Sequence, residues 1–272
     1  MSAKNLINKG VKPLFNTKML IRRFSSFYTA CNFYRNCKRK KTLTKIYFIM
    51  KKTILLLFLA CTFGVNAQDF SFGADVQSRY VWRGIQLGGE SPSLQPGVEM
   101  TAGNFAVGAW GAYSLGGDNA AQELDLYVSY ALTDAISVSV TDYYFPEGGS
   151  GHDYLKLDSK TTGHVYEATL SFAGTDAFPV ALTVASNVGG ASTGSTYLEA
   201  SYDTNDFTIF AGGVVGDDDD YYLSEDGTGL INVGISLAKE IQLSSTYSLP
   251  VNTSLVLNPD AGNVFLTFGF TL

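Results

Sequence analysis

The sequence predicts an all-β protein: a transmembrane antiparallel up-and-down β-barrel of about 12 strands, with short periplasmic turns and long extracellular loops. Three observations predict it. From residue 68 the chain repeats segments of eight to ten residues in which apolar and polar side chains alternate, the period of a strand. The connections between these segments alternate short and long, which is how outer-membrane barrels are built. The chain also stops on such a strand, with Val264, Leu266, Phe268, Phe270 and Leu272 alternating with Phe265, Thr267, Gly269 and Thr271.

Charge divides the chain. All 25 acidic residues lie at or beyond Asp69, whereas beyond Lys52 the only basic ones are Arg79, Arg83, Lys156, Lys160 and Lys239. The segment 68–272 therefore carries a net charge of −20, which excludes nucleic acid as a partner through its phosphates. Cys31, Cys37 and Cys61 all precede residue 68. The remainder has no thiol for a disulfide, a thiolate metal site or a cysteine nucleophile.

Residues 50–67 have the three parts of a secretory signal peptide: Lys51 and Lys52, an apolar stretch over 53–65, and a small-residue cleavage site at Val65-Asn66-Ala67. Cleavage is expected after Ala67. A lipoprotein signal through Cys61 fits less well, because Phe58-Leu59-Ala60 poorly matches what precedes a lipidated cysteine. Residues 1–49 are basic and show no sustained period. They are expected to be an extension upstream of a true start at Met50; a real basic tail and a mitochondrial presequence are the alternatives.

The strands predicted in order are 69–83, 94–102, 105–114, 123–131, 136–145, 164–172, 179–187, 196–202, 207–215, 230–238, 241–249 and 263–272. Short turns fall at 103–104, 132–135, 173–178, 203–206 and 239–240. Long loops fall at 84–93, 115–122, 146–163, 188–195, 216–229 and 250–262, rich in Gly, Asp, Asn and Ser.

On the first strand Phe70, Phe72, Ala74, Val76, Tyr80 and Trp82 fall on one side, and Asp75, Gln77, Arg79 and Arg83 on the other. The expected placement puts Tyr80 and Trp82 at the outer lipid interface and the arginines in a wet lumen. The reverse would cost about 2–4 kcal/mol for each arginine near the bilayer midplane. Later strands end alike, in Ser129-Tyr130, Ser171-Phe172 and Ser201-Tyr202 just before polar turns. Tyr130, Phe172 and Tyr202 are thus expected at one interface, with Tyr113, Tyr143 and Tyr144 joining Tyr80 and Trp82 at the other.

These residues resemble the TorF-like porin family, Gram-negative outer-membrane proteins of largely unassigned function. The resemblance covers roughly 68–272. It rests on Ser78-Arg79-Tyr80-Val81-Trp82-Arg83-Gly84, on the Tyr130-Ala131-Leu132-Thr133-Asp134 turn, and on the terminal strand, where Leu272 replaces the usual aromatic. It implies a barrel and a pore, and supplies no catalytic residues.

Candidate lumen or constriction residues are Asp75, Arg79, Arg83, Glu99, Glu123, Asp125, Glu167 and Glu199, all on the polar side of their strands. They could set a transverse field in a narrow channel, or the arginines could simply neutralise acids and plug the interior. Asp217, Asp218, Asp219 and Asp220 form a possible weak cation loop, but consecutive aspartates lack the spacing of a preformed calcium site, and a solvated surface loop fits better. Of the two histidines, His152 stands beside Asp153 in a long loop, and His164 begins a strand with Tyr166, not serine, two residues on.

The expected function is passive diffusion of small solutes, with cation preference from the acidic walls. Inward Ser137, Ser139 and Thr141 favour an open lumen. A non-conducting structural or surface-binding barrel is the alternative, and a hydrolase at the rim the third. No enzyme activity, metal or cofactor is expected. The expected location is the outer membrane of a Gram-negative bacterium. Partners are outer-membrane lipid, small solutes, and the barrel-assembly machinery acting through the C-terminal strand.

Overall fold

The computed structural model describes residues 68–116, 122–146, 154–155, 157, 163–218 and 220–272, all within the unit Ala67–Leu272. The predicted signal peptide, the extension 1–49, His152, Asp153 and Asp219 lie outside the described residues.

The fold is an all-β, closed, antiparallel up-and-down barrel of 12 strands. In chain order the strands are β1 (Gln68–Gln77), β2 (Tyr80–Trp82), β3 (Ile85–Leu87), β4 (Ser93–Ala102), β5 (Phe105–Ser114), β6 (Gln122–Ala131) and β7 (Ile136–Tyr144). There follow β8 (His164–Phe172), β9 (Val180–Gly190), β10 (Ser192–Asp203), β11 (Thr208–Val215), β12 (Thr228–Ser244), β13 (Tyr247–Asn258) and β14 (Asn263–Thr271). Each wall strand pairs with its neighbour in sequence, β1 reaches β4, and β1 closes on β14 with Asp75 opposite Thr271. The pair β2–β3 stands apart from the wall as a separate two-stranded sheet.

Register assigns every side chain to one of two faces, because residues paired across a ladder share a face. Ser139 pairs with Ser129 and Thr169, and Gly97 with Gly73 and Trp110; these face inward. The alternate positions are apolar and point outward into the surroundings: Phe72 is 90% exposed, Leu266 68% and Phe268 65%. Val107, Val128, Val140, Leu182, Leu198, Ile209 and Leu255 continue this exposed face around the barrel. Tyr130, Phe172 and Tyr202 share it beside the short turns, and Tyr113 is exposed toward the opposite rim.

Four sequence expectations are corrected. The first predicted strand, 69–83, ends at Gln77: Ser78 exchanges bonds with Phe268 (N–H to O 2.8 Å, Oγ from N–H 3.0 Å), and the chain then leaves the wall. Alternation alone could not reveal this, since β2 and β3 alternate too. The turn expected at 239–240 lies at 245–246, because β12 and β13 stay paired beyond Ser236, where pairing with β11 stops, and run on as a ribbon with exposed side chains; Lys239 and Glu240 sit in this ladder opposite Val251 and Pro250. The long loop expected at 188–195 is a tight hairpin about Ala191 between β9 and β10. Here Gly190 has φ +93° and no room for a side chain: a Cβ would meet the His164 carbonyl oxygen at 2.1 Å. The loop expected at 250–262 shrinks to 259–262.

Candidate functional site: the barrel lumen

The hairpin β2–β3 folds into the barrel. Its turn is Arg83-Gly84, with φ +48° and +78°, the left-handed pair that a two-residue hairpin turn needs. Glycine is required at the second position, since a Cβ on Gly84 would lie 1.8 Å from the Ile231 carbonyl oxygen. Asn258 on β13 donates to the Gly84 carbonyl at 3.2 Å and pins the turn to the wall.

The turn carries Arg83 across the interior to β8. Its guanidinium donates two bonds to Glu167, at 2.5 and 3.0 Å, and a third to the Tyr222 hydroxyl at 2.5 Å. Tyr143 and Thr169 also donate to Glu167, at 3.1 and 3.0 Å. The Glu167 side chain is 1% exposed, so its charge depends wholly on these partners. Arg83 also lies over three rings, 4.4 Å from the Trp82 centroid, 4.5 Å from that of Tyr197 and 5.8 Å from that of Tyr222. Burial is the largest single influence and opposes the Arg83 charge, but the bond to Glu167, its negative charge and the Tyr222 and Tyr143 hydroxyls together outweigh it and hold the guanidinium pKa above its ordinary value.

A second segment enters from the connection between β11 and β12. Asp217, 1% exposed, accepts bonds from the Ser195 hydroxyl and from the backbone N–H groups of Tyr222 and Ser224. This folds the segment back and places Tyr222, fully buried, in a stack on Trp82. Burial raises the pKa of both the Tyr221 and the Tyr222 hydroxyl. The solvated-loop expectation is corrected at Asp217, whose carboxylate is taken up by N–H and O–H donors, while Asp218 and Asp220 are exposed. Among the described residues no cluster of three metal-ligating side chains occurs.

Tyr80 and Trp82, expected at the outer lipid interface, are also corrected. The Tyr80 ring meets Trp110 at 5.6 Å, and Trp82 meets Tyr143 and Tyr222, each at 5.6 Å. Tyr143 likewise faces inward rather than toward an interface. Aromatic rings here serve an interior that must be filled, and Ile85, Ala185, Tyr197, Val214 and Ile231 complete an apolar cluster inside the barrel. Tyr144 is buried on the outer side of the wall, where His164 Nδ1 lies 2.7 Å from Asp142 and Nε2 3.0 Å from the Tyr154 carbonyl. Both imidazole nitrogens are thus engaged in tying the Tyr154 segment to the wall.

The filled half lies toward the long loops. Toward the short turns the described residues line cavities in the lumen. One, about 420 Å³, is lined by Asp75, Glu99, Trp110 and Tyr127 over a floor that includes Gly73 and Gly97. Tyr127 donates to Glu99 at 2.8 Å, and Thr271 to Asp75 at 2.6 Å. Another, about 300 Å³, lies beneath the hairpin and is lined by Arg79 with amide and hydroxyl side chains. Glu199 bonds Tyr197 and Asn232, and Glu123 and Asp125 are buried on β6. The eight charged positions singled out from the sequence therefore separate. Arg83 and Glu167 meet directly; Asp75 and Glu99 share the larger cavity; Arg79 lines the smaller one; Glu123 and Asp125 meet each other on β6, with Tyr80 of the hairpin beside Glu123; Glu199 stands apart.

Sequence reasoning missed Tyr222, Tyr197, Asn258 and the hairpin itself. The signal available was Arg83-Gly84 between two alternating triplets, hidden because arginine is an unusual residue at a left-handed position.

The chain matches the model of a bacterial family, Gcw_chp, over residues 64–250, which takes in the hairpin, Arg83 and Glu167. It belongs to that family. The description of Gcw_chp is a bacterial protein of unknown function. No curated protein matches the chain.

Proposed function

We propose that this Gcw_chp protein is a TorF-like barrel of a Gram-negative outer membrane, a channel for small solutes closed by the β2–β3 hairpin. The observation that carries the membrane reading is the outward apolar face. A water-soluble protein rarely exposes a contiguous apolar patch beyond a few hundred Å², whereas a lipid-facing barrel requires one on every strand. On this reading the chain is exported by the signal at 50–67 and cleaved after Ala67. It is inserted by the barrel-assembly machinery through β14, and Tyr130, Phe172 and Tyr202 stand at an interface.

Conduction is supported by the cavities, by the small inward residues Ser137, Ser139 and Thr141, and by the plug itself. The plug is a separate two-stranded sheet and not part of the wall ladder; it is held by polar contacts at its tip and by the packing of Trp82 and Ile85. Cation preference follows from Asp75, Glu99 and the overall charge of the segment. Catalysis has no part in this reading. A second reading, a non-conducting barrel, is favoured by the apolar packing around Trp82 and Tyr222.

The test is to express the full chain in a Gram-negative host and separate the membranes. Recovery in the outer membrane as a heat-modifiable barrel, with potassium leakage when it is reconstituted into vesicles, is expected. A soluble periplasmic product would refute the membrane reading, and tight vesicles carrying folded barrel would favour the non-conducting one.

A further inference from the structure

The smaller cavity differs from the rest of this acidic interior. Its described lining contains no carboxylate. Its two cations are unequal: Arg83 is neutralised by Glu167, whereas Arg79 forms no ion pair among the described residues. The Arg79 guanidinium spends one N–H on the Gln86 side-chain oxygen, at 2.8 Å, and that acceptor is neutral. Among the described residues most of its five donors therefore remain for a ligand. Around it stand the amides of Gln77, Gln95 and Asn252 and the hydroxyls of Ser236, Ser254 and Thr267. Tyr80 and Val81 of the hairpin form part of the lining.

A planar guanidinium fork matches a carboxylate in two parallel bonds, and amides with hydroxyls suit a ligand rich in hydroxyl groups. We infer that this cavity is a binding site for a small hydroxylated carboxylate, of the sugar-acid class, with Arg79 holding the carboxylate. The inference rests on the channel reading only for its biological sense, since the cavity binds or fails to bind whether or not the barrel conducts. It departs from the overall cation preference in a specific way. A solute anion would be admitted at one cup, beside the hairpin, while the larger cavity with Asp75 and Glu99 repels it.

The test is calorimetric titration of the full chain, folded in detergent micelles, with gluconate. Glucose serves as the neutral probe and sodium chloride as the simple anion. Gluconate should bind at least tenfold more tightly than glucose, without competition from chloride at equal concentration. Arg79→Gln should weaken gluconate at least tenfold while the protein keeps its heat-modifiable migration. Should that variant fold poorly, Ser254→Leu fills the same cavity from β13 and should abolish binding. Gluconate binding no tighter than glucose, or equal in wild type and Ser254→Leu, would overturn the assignment. Vesicle leakage measured on the same preparations keeps the two questions apart: leakage without gluconate binding removes this site alone, and binding without leakage removes the channel alone.

Discussion

Arg83 and Glu167, 84 residues apart in sequence, meet in a two-pronged ion pair inside the barrel at 2.5 and 3.0 Å. One residue comes from the tip of an inward hairpin, the other from the wall, so the pair is the latch between plug and barrel.

Removing one partner leaves the other buried and charged. Arg83→Gln should destabilise the folded barrel by about 3–5 kcal/mol, whereas the double variant with Glu167→Gln should recover much of that loss. Urea unfolding of the barrel in lipid vesicles measures both. Equal losses in the single and double variants would remove the latch.

The turn is equally exacting. Gly84→Ala needs a side chain at φ +78° and 1.8 Å from a carbonyl oxygen, so the tip must withdraw from Ile231. The expected outcome is rapid trypsin cleavage at Arg79 or Arg83, with the wall intact by migration in gels. Protection equal to wild type would place the hairpin elsewhere.

Two neighbouring residues test the faces of the wall. Val140 points outward and is 48% exposed, while Ser139 points inward. Val140→Arg should cost about 2–4 kcal/mol in a bilayer, and Ser139→Arg much less, as its guanidinium reaches water. Similar costs for both would argue against lipid around the barrel.

Burial raises the pKa of the Tyr222 hydroxyl. Below the ordinary tyrosine value of about 10 neither folded nor unfolded chain ionises there. Above it the unfolded chain releases a proton that the folded one keeps, so stability falls as pH rises. Tyr222→Phe should flatten that alkaline fall, read by thermal unfolding between neutral and strongly alkaline pH.

The wall was legible in the sequence because a ladder has period two and its two faces meet different media. Val140 and Ser139 declare their sides without any long-range information. The plug was not legible in the same way. Tyr80 and Trp82 continue the alternation of β1 across Ser78, and period alone cannot say that the chain has turned inward. Trp82 then reads as an interface ring, when its neighbours are Tyr143 and Tyr222 from distant strands and loops. The charged lumen positions lay on the polar side as alternation requires. Which of them would touch depended on the depth of a hairpin tip, set by Gly84 against Ile231, and no local pattern encodes that. Lys239-Glu240 misled because charges usually end a strand; on a ribbon with exposed side chains they need not.

The most direct measurement is single-channel recording in planar bilayers of wild type beside Arg83→Gln, in potassium chloride. A hairpin-closed channel predicts brief, discrete, cation-selective openings in wild type, and at least about tenfold more open time in the variant, a shift of about 1.4 kcal/mol in the gate. Unchanged silence from both proteins, inserted and folded, would contradict it.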